Sequence, residues 1–174
     1  MRRLLLLRHA KAERAQPGGG DKDRVLAERG RTDAKRLGAY LTRHDLVPDR
    51  ALVSSAARTR ESWTVLSAAF GKAPAAGFDD RLYNATPDAI LDAIQNTKPN
   101  ASTLLVIGHN PGIHELAAAL AASGDIDARE RLGEGFPTSG LAVIGFASDN
   151  WRDIHPRSGR LEHFITPEWL ASAD

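Results

Sequence analysis

The sequence predicts one α/β domain spanning residues 1–174, built as a three-layer α/β/α sandwich around a mostly parallel sheet. Three observations carry this. Short apolar runs at Leu4–Leu7, Thr103–Ile107 and Leu141–Phe146 have the continuous hydrophobicity of strands covered on both faces. Segments with helical apolar spacing separate them, and strand–helix–strand order favours parallel pairing. No internal repeat and no long linker divides the chain. The composition, 42% hydrophobic and 26% charged over 174 residues, suits one core, with about 70% of the unfolded surface buried on folding.

Leu4–Leu7 is the first strand. Gln16–Asp23, with Gly18, Gly19 and Gly20, reads as a flexible connection, since it lacks the Lys-Ser/Thr ending of a P-loop. A helix starts near Arg29–Thr32 and runs to about Arg43, with Ala34, Leu37 and Leu41 on its buried face. Ala51–Ser54 is a second strand, and Ser54 or Ser55 is the expected cap of a helix carrying Trp63, Leu66 and Phe70. Thr86-Pro87-Asp88 has the cap, the proline and the acid of a helix start, followed by Ile90, Leu91 and Ile94. After Thr103–Ile107, Gly108-His109-Asn110-Pro111-Gly112 breaks the strand, and Ile113, Leu116, Ala117 and Leu120 mark a helix. Leu141–Phe146, a short strand from Trp151 after the Ser148–Asn150 turn, and a strand near Leu161–Ile165 complete the reading.

Charge and composition exclude several classes. Lys+Arg total 23 and Asp+Glu 22, a balance without the basic excess of a nucleic-acid or membrane-surface protein. The absence of cysteine removes disulfides, thiolate nucleophiles and Cys-ligated metals, and fits a reducing compartment. The four-residue apolar run at the N-terminus is shorter than the roughly 7–15 residues of a secretory core. The expected location is the cytoplasm, with neither nucleic acid nor membrane as a partner.

In open α/β sheets ligands bind beyond the carboxyl ends of the strands. Arg8 and His9 follow the first strand, Arg58 lies in the first turn after the second, and His109 follows Thr103–Ile107. Guanidinium forks match phosphate oxygens. Helix N-termini near Arg58 and Pro111 add donors and favourable dipoles. An imidazole serves as nucleophile or proton donor near neutral pH. Together these describe a phosphate site with a nucleophile inside it.

Arg8-His9-Ala10-Lys11 after an N-terminal strand resembles the Arg-His-Gly/Ala signature of the histidine phosphatase superfamily, the phosphoglycerate-mutase-like fold. Similarity extends to Asp23–Gly30, Ser54–Thr59, Gly108–Gly112, Phe136–Ser139 and Thr166–Glu168, and is closest to the SixA-like phosphohistidine phosphatases. The resemblance implies His9 as the nucleophile, with Arg8, Arg58 and His109 holding the phosphoryl group. Asn110 and Ser139 are further candidates for substrate binding, and Thr138 or Ser139 could bring a hydroxyl to the pocket. Phosphoryl transfer asks mainly for positioning and charge stabilisation, which these residues supply with no cofactor and no metal. His9 must attack through an unprotonated nitrogen, so its other ring nitrogen is expected to donate to a backbone carbonyl.

Departures are Ala56 where relatives carry proline, Glu61-Ser62 where Gln-Thr is frequent, and the lack of the large helical insertion that carries a general acid. Asp21, Asp79 and Asp80 are the acids in question, each also readable as a solvated loop carboxylate. Without an acid, phosphohistidine suits the site better than a sugar phosphate, because an imidazole leaves more easily than an alkoxide. The expected activity is dephosphorylation of phosphohistidine on a signalling protein through a covalent phosphohistidine intermediate. A small-molecule phosphomonoesterase of the same fold and a non-catalytic phosphate-binding module are the alternatives. A metal site at His109, His114 and Glu115 is disfavoured, since the two histidines stand about 140° apart around a helix. His44, His155 and His163 lie outside the motifs.

Overall fold

The computed structural model describes residues 1–173. Strand β1 (Arg2–Arg8) is followed by helix α1 (Glu28–Arg43), β2 (Arg50–Ser54), α2 (Ala57–Ser67), β3 (Ala75–Asp79) and α3 (Pro87–Gln95). Then come β4 (Thr103–Gly108), α4 (Gly112–Leu120), β5 (Ala121–Gly124), α5 (Ile126–Glu134), β6 (Leu141–Phe146), β7 (Gly159–Ile165) and α6 (Pro167–Ala173). The strands form one sheet in the order β3-β2-β4-β1-β6-β7-β5. Both pairings of β6, to β1 and to β7, are antiparallel, and the other four neighbour pairs are parallel. The expected three-layer α/β/α fold with a mostly parallel sheet is the fold observed, and it carries no large helical insertion.

Alternation along β1 explains its unbroken leucines. Leu4 and Leu6 pack with α3, α4 and α5 through Ile94, Leu116 and Leu132, while Leu5 and Leu7 pack with α1, α2 and α6 through Leu41, Leu66 and Leu170. A central strand with helices on both faces has no polar side, so each of the four leucines is buried. Complete burial of one such side chain contributes about 1.5–3 kcal/mol.

Several expectations need correcting. Neither Ser54 nor Ser55 caps α2; the cap is Ala56, whose side chain accepts nothing, because Ser54 ends β2 with its hydroxyl on His109. Helix α2 stops at Ser67, and Phe70 lies in the turn beyond it, still packed edge-on against Trp63. Trp151 begins a 3-10 turn rather than a strand, because the Asn150 side chain accepts from Arg152 N–H and the indole of Trp151 donates to the Ala101 carbonyl at 2.7 Å. By contrast, Thr86 caps α3 as expected, accepting from Ala89 N–H at 3.2 Å. Strands β3 and β5 and helices α5 and α6 have no counterpart in the sequence reading. The two strands are edge strands rich in Ala and Gly, and α5 buries only Ala128 and Leu132.

One glycine positions the site. Gly30, in the first turn of α1, lies so close to the segment after β1 that a Cβ there would sit 2.1 Å from the Lys11 carbonyl oxygen. The same carbonyl accepts from Ala27 N–H at 2.9 Å, so α1 is held directly against the residues that follow His9. Gly30→Ala is expected to destabilise the fold by about 1–3 kcal/mol, the range for overpacking. The shift of the urea unfolding midpoint measures it.

Candidate active site

Strand register assembles the site. Parallel pairing of β1 with β4 places Arg8 beside Gly108, and His9 N–H continues the ladder by donating to the Gly108 carbonyl at 3.1 Å. The next residue on each strand is a histidine, so the His9 and His109 rings come to 5.4 Å between centroids. Pairing of β2 with β4 aligns Val53 with Ile107, which sets Ser54 next to the same end of β4. One turn onward, Arg58 sits in the first turn of α2. The four residues Arg8, His9, Arg58 and His109 line one cavity of ≈ 270 Å³, together with Arg24 and Asn110. Lys11, Asn84 and Thr138 also line it.

His9 Nδ1 lies 2.8 Å from the Ala10 carbonyl oxygen. A carbonyl only accepts, so Nδ1 carries the proton and Nε2 keeps its lone pair. Ala10 N–H donates to Ser62 Oγ at 2.9 Å, and Ser62 donates to the Arg58 carbonyl at 2.7 Å, which ties the histidine loop to α2. On the other side, Ser139 N–H donates to the carbonyls of both Arg8 and His9 at 3.1 Å. Arg8 Nη1 and Asn110 Nδ2 donate to the Phe136 carbonyl at 3.0 and 2.8 Å.

Arg58 is held on two edges. Nη1 donates to the Asp21 carbonyl at 2.8 Å, and Nη2 faces both Asp21 Oδ2 at 3.1 Å and His109 Nδ1 at 3.3 Å. Tyr83 Oη also donates to Asp21 Oδ2, and Arg24 Nη1 donates to Oδ1 at 3.0 Å. Asp21 is exposed, as a loop carboxylate would be, but it is paired with Arg58, Arg24 and Tyr83. The glycine-rich stretch ends in a 3-10 turn, Asp21–Asp23, that delivers a counter-ion to the buried guanidinium.

Titration behaviour follows from this crowding. Burial, with the fields of Arg58, Arg8 and Arg24, lowers the pKa of His9 from 6.5 to about 4, against the opposing pull of the Ala10 carbonyl. Burial and Arg58 lower that of His109 to about 3. Both imidazoles are neutral at pH 7. The Tyr83 hydroxyl, with Arg24 and Arg58, holds the Asp21 carboxyl far below the usual range. Arg81 lowers that of Asp79, and Lys22 lowers that of Asp80. None of the three acids in question holds a proton at neutral pH, and none lines the cavity.

Of the remaining sequence candidates, Asn110 and Thr138 line the cavity. Ser139 does not. It is buried in the left-handed region at φ 60°, and its backbone rather than its hydroxyl meets the site. His114 turns Nε2 to the Leu132 carbonyl at 2.6 Å, away from His109. Among the described residues no group of His, Cys, Asp and Glu is arranged to hold a metal, and no helix is long and apolar enough to cross a membrane. Sequence reasoning missed Ser54, Arg24 and Lys11 as parts of the site. Arg24 and Lys11 stand inside segments already singled out, whereas a serine at the end of a strand points first to a helix cap.

A larger groove of ≈ 870 Å³ adjoins the cavity and shares Arg8, Lys11, Asn110 and Thr138 with it. Phe136, Phe164 and Asp33 also line the groove. Burial raises the pKa of Asp33, opposed by Arg29 and Arg36. The paired spaces offer a cationic pocket for a compact anion and room beside it for whatever the anion is attached to.

Residues 4–85 match the model of the histidine phosphatase superfamily, branch 1. A candidate phosphohistidine phosphatase SixA from Agrobacterium tumefaciens is 33% identical, with 95% of this chain and 98% of that one covered at a TM-score of 0.78. The chain belongs to the histidine phosphatase superfamily. A second candidate SixA, from Nakamurella multipartitia, aligns at a TM-score of 0.83 with 29% identity, covering 95% and 96% of the two chains. A Mycobacterium tuberculosis protein is 38% identical over 164 residues, covering 92% of this chain and 99% of its own. Within the superfamily the chain is SixA-like, with the phosphoglycerate-mutase-like fold and a histidine-phosphatase type of hydrolase site.

The depressed histidine values set a pH dependence. The unfolded chain takes up protons near 6.5, while the folded protein resists them down to about 4 at His9 and about 3 at His109. Stability is therefore expected to fall as pH drops from 6.5 towards 4. Urea midpoints across that window measure the loss, and the His9 and His109 ring signals in NMR should stay unshifted from pH 8 to pH 5.5.

Proposed function

We propose that the protein removes the phosphoryl group from phosphohistidine on a signalling protein, through a covalent intermediate on His9, without metal or cofactor. The observation that carries this reading is a cavity lined by Arg8, Arg24, Arg58 and His9 in which no carboxyl takes part. His9 is neutral, with Nε2 unprotonated, which is the form that attacks. A bond forms between Nε2 and phosphorus as the bond from phosphorus to the substrate imidazole breaks. With a proton on its far nitrogen, that imidazole departs neutral and asks nothing of an enzyme acid. Water then attacks the phosphorus and releases inorganic phosphate, returning the electron pair to Nε2. Arg8, Arg58 and His109 hold the phosphoryl group, and Arg24 and Asn110 line the same cavity, so that charge on the equatorial oxygens is stabilised throughout.

The adjoining groove, ≈ 870 Å³ in volume, leaves room beside the cavity for the protein part of such a substrate. The SixA names of the A. tumefaciens and Nakamurella structures point to the same substrate. The cytoplasm is the compartment this role implies.

One observation favours a second reading, a small-molecule phosphomonoesterase: Asp33, whose pKa burial raises, lines the groove that adjoins the cavity. Asp33→Asn separates the two readings. It is expected to leave phosphohistidine hydrolysis within about twofold, whereas a phosphomonoesterase relying on this acid would lose about 10²-fold or more towards alkyl phosphates.

The decisive experiment presents a ³²P-labelled phosphohistidine peptide and maps the label on the enzyme. Label on His9, loss of about 10³-fold or more of turnover in His9→Ala, and full turnover in excess EDTA are expected. Faster hydrolysis of unactivated sugar phosphates than of the peptide would overturn the substrate assignment, and unchanged turnover in His9→Ala would overturn the mechanism.

A further inference from the structure

We infer that Tyr83 is a positioning residue: its hydroxyl fixes the Asp21 carboxylate, and the carboxylate in turn fixes the Arg58 guanidinium. Two 3-10 turns are joined here, Asp21–Asp23 from the glycine-rich loop and Asp80–Leu82 after β3, with Tyr83 ending the second. Both terminal nitrogens of Arg58 donate to Asp21, Nη1 to its carbonyl at 2.8 Å and Nη2 to Oδ2 at 3.1 Å. Tyr83 Oη donates to that same Oδ2, since an ionised carboxylate can only accept. The Tyr83 ring stands perpendicular to that of His109, 5.5 Å between centroids, and Arg58 Cζ lies 5.9 Å from its centroid.

Nothing apolar holds the Asp21 turn. Residues 13–23 are exposed throughout, and the turn buries no side chain. Polar contacts must therefore place it. Arg24 Nη1 reaches Asp21 Oδ1 at 3.0 Å, but Arg24 ends the turn and moves with it. Lys22 Nζ pairs with Asp80 Oδ1 at 2.8 Å, an exposed ion pair of the kind that contributes little. Arg58 is itself the group to be placed. The Tyr83 hydroxyl is then the contact that ties the carboxylate to the body of the fold. Tyr83 brings a fixed frame, because Leu82 beside it is buried in the core with Ile90 and Val106. The same hydroxyl is the main reason why the Asp21 carboxyl stays far below the usual range, ahead of Arg24 and Arg58. Without it, the turn and the guanidinium attached to it can shift together.

The effect on turnover rests on the reading of the cavity as a phosphoryl site, but the placement of Arg58 does not, and the experiment separates the two. Nitrogen-15 NMR of arginine-labelled protein reports the guanidinium directly. Held at both terminal nitrogens, Arg58 rotates slowly about its Cζ–Nη bonds and is expected to give separate Nη signals in the wild type. In Tyr83→Phe, which keeps the ring, these signals are expected to merge, and the midpoint of the Asp21 carboxyl titration, followed by carbon-13 NMR, to rise. kcat/KM for a phosphohistidine peptide should fall about 3- to 10-fold, as for the loss of one hydrogen bond. Asp21→Ala should lower it at least as much. Adding Tyr83→Phe to Asp21→Ala should lower it no further, because the hydroxyl then has no carboxylate to act through. Separate Arg58 signals in Tyr83→Phe, an unchanged kcat/KM in that variant, or a further loss of full size in the Asp21→Ala background would each overturn the inference. If Tyr83→Phe does not fold, averaged Arg58 signals in the wild type would overturn it and separate ones that merge in Asp21→Ala would support it. A wild type with no phosphatase activity, in which the signals still merge on Tyr83→Phe, would reject the phosphoryl-site reading and leave the placement of Arg58 by Tyr83 intact.

Discussion

The pairing of β1 with β4 is the constraint from which the site follows. Parallel strands keep a fixed offset, and the offset here sets Arg8 against Gly108, so two histidines far apart in the chain emerge side by side at the carboxyl ends of two central strands. The bond from His9 N–H to the Gly108 carbonyl extends that ladder one residue into the loop that begins with His9. A slip of one residue would turn every leucine of β1 to the opposite face. Because both faces are packed, and His9 lies beyond the end, the alignment of the rings is enforced by the length of the strand and its ladder of hydrogen bonds.

Concentrating guanidiniums in a largely buried pocket is unfavourable, and the molecule offsets this by two means. Asp21 supplies a fully ionised partner to Arg58, brought by a loop that otherwise has little structure. The two imidazoles stay neutral, because a further buried positive charge beside three arginines would be more unfavourable still. Neutrality is also what a nitrogen nucleophile needs, so the electrostatics of the pocket and the chemistry proposed for it pull in the same direction. The carboxyls near the site are thereby tied up as counter-ions or lie outside the cavity, and this division separates the anion pocket from the groove that holds Asp33.

The central strands were legible because they are buried on both faces, and nothing polar interrupts Leu4–Leu7 or Leu104–Ile107. The edge strands were not. Ala75–Asp79 and Ala121–Gly124 have little intrinsic preference for extension and are strands because β2 and β7 offer them partners. Helix α5 carries too small an apolar stripe to stand out, with Ile126 exposed.

Arg8, His9, Arg58 and His109 could be singled out from the sequence, because each follows a recognisable strand and the chemistry of their side chains converges on one anion. Their local motifs determined which residues meet. Only the tertiary structure decided how they meet: which nitrogen of His9 is free, that Asp21 is a counter-ion rather than an acid, and that Ser54 serves His109 rather than a helix end. Apart from the His9 contact to its own neighbour, those outcomes are hydrogen bonds between segments distant in the chain. A donor or acceptor is visible in a sequence, but its partner is chosen by strand register and loop closure.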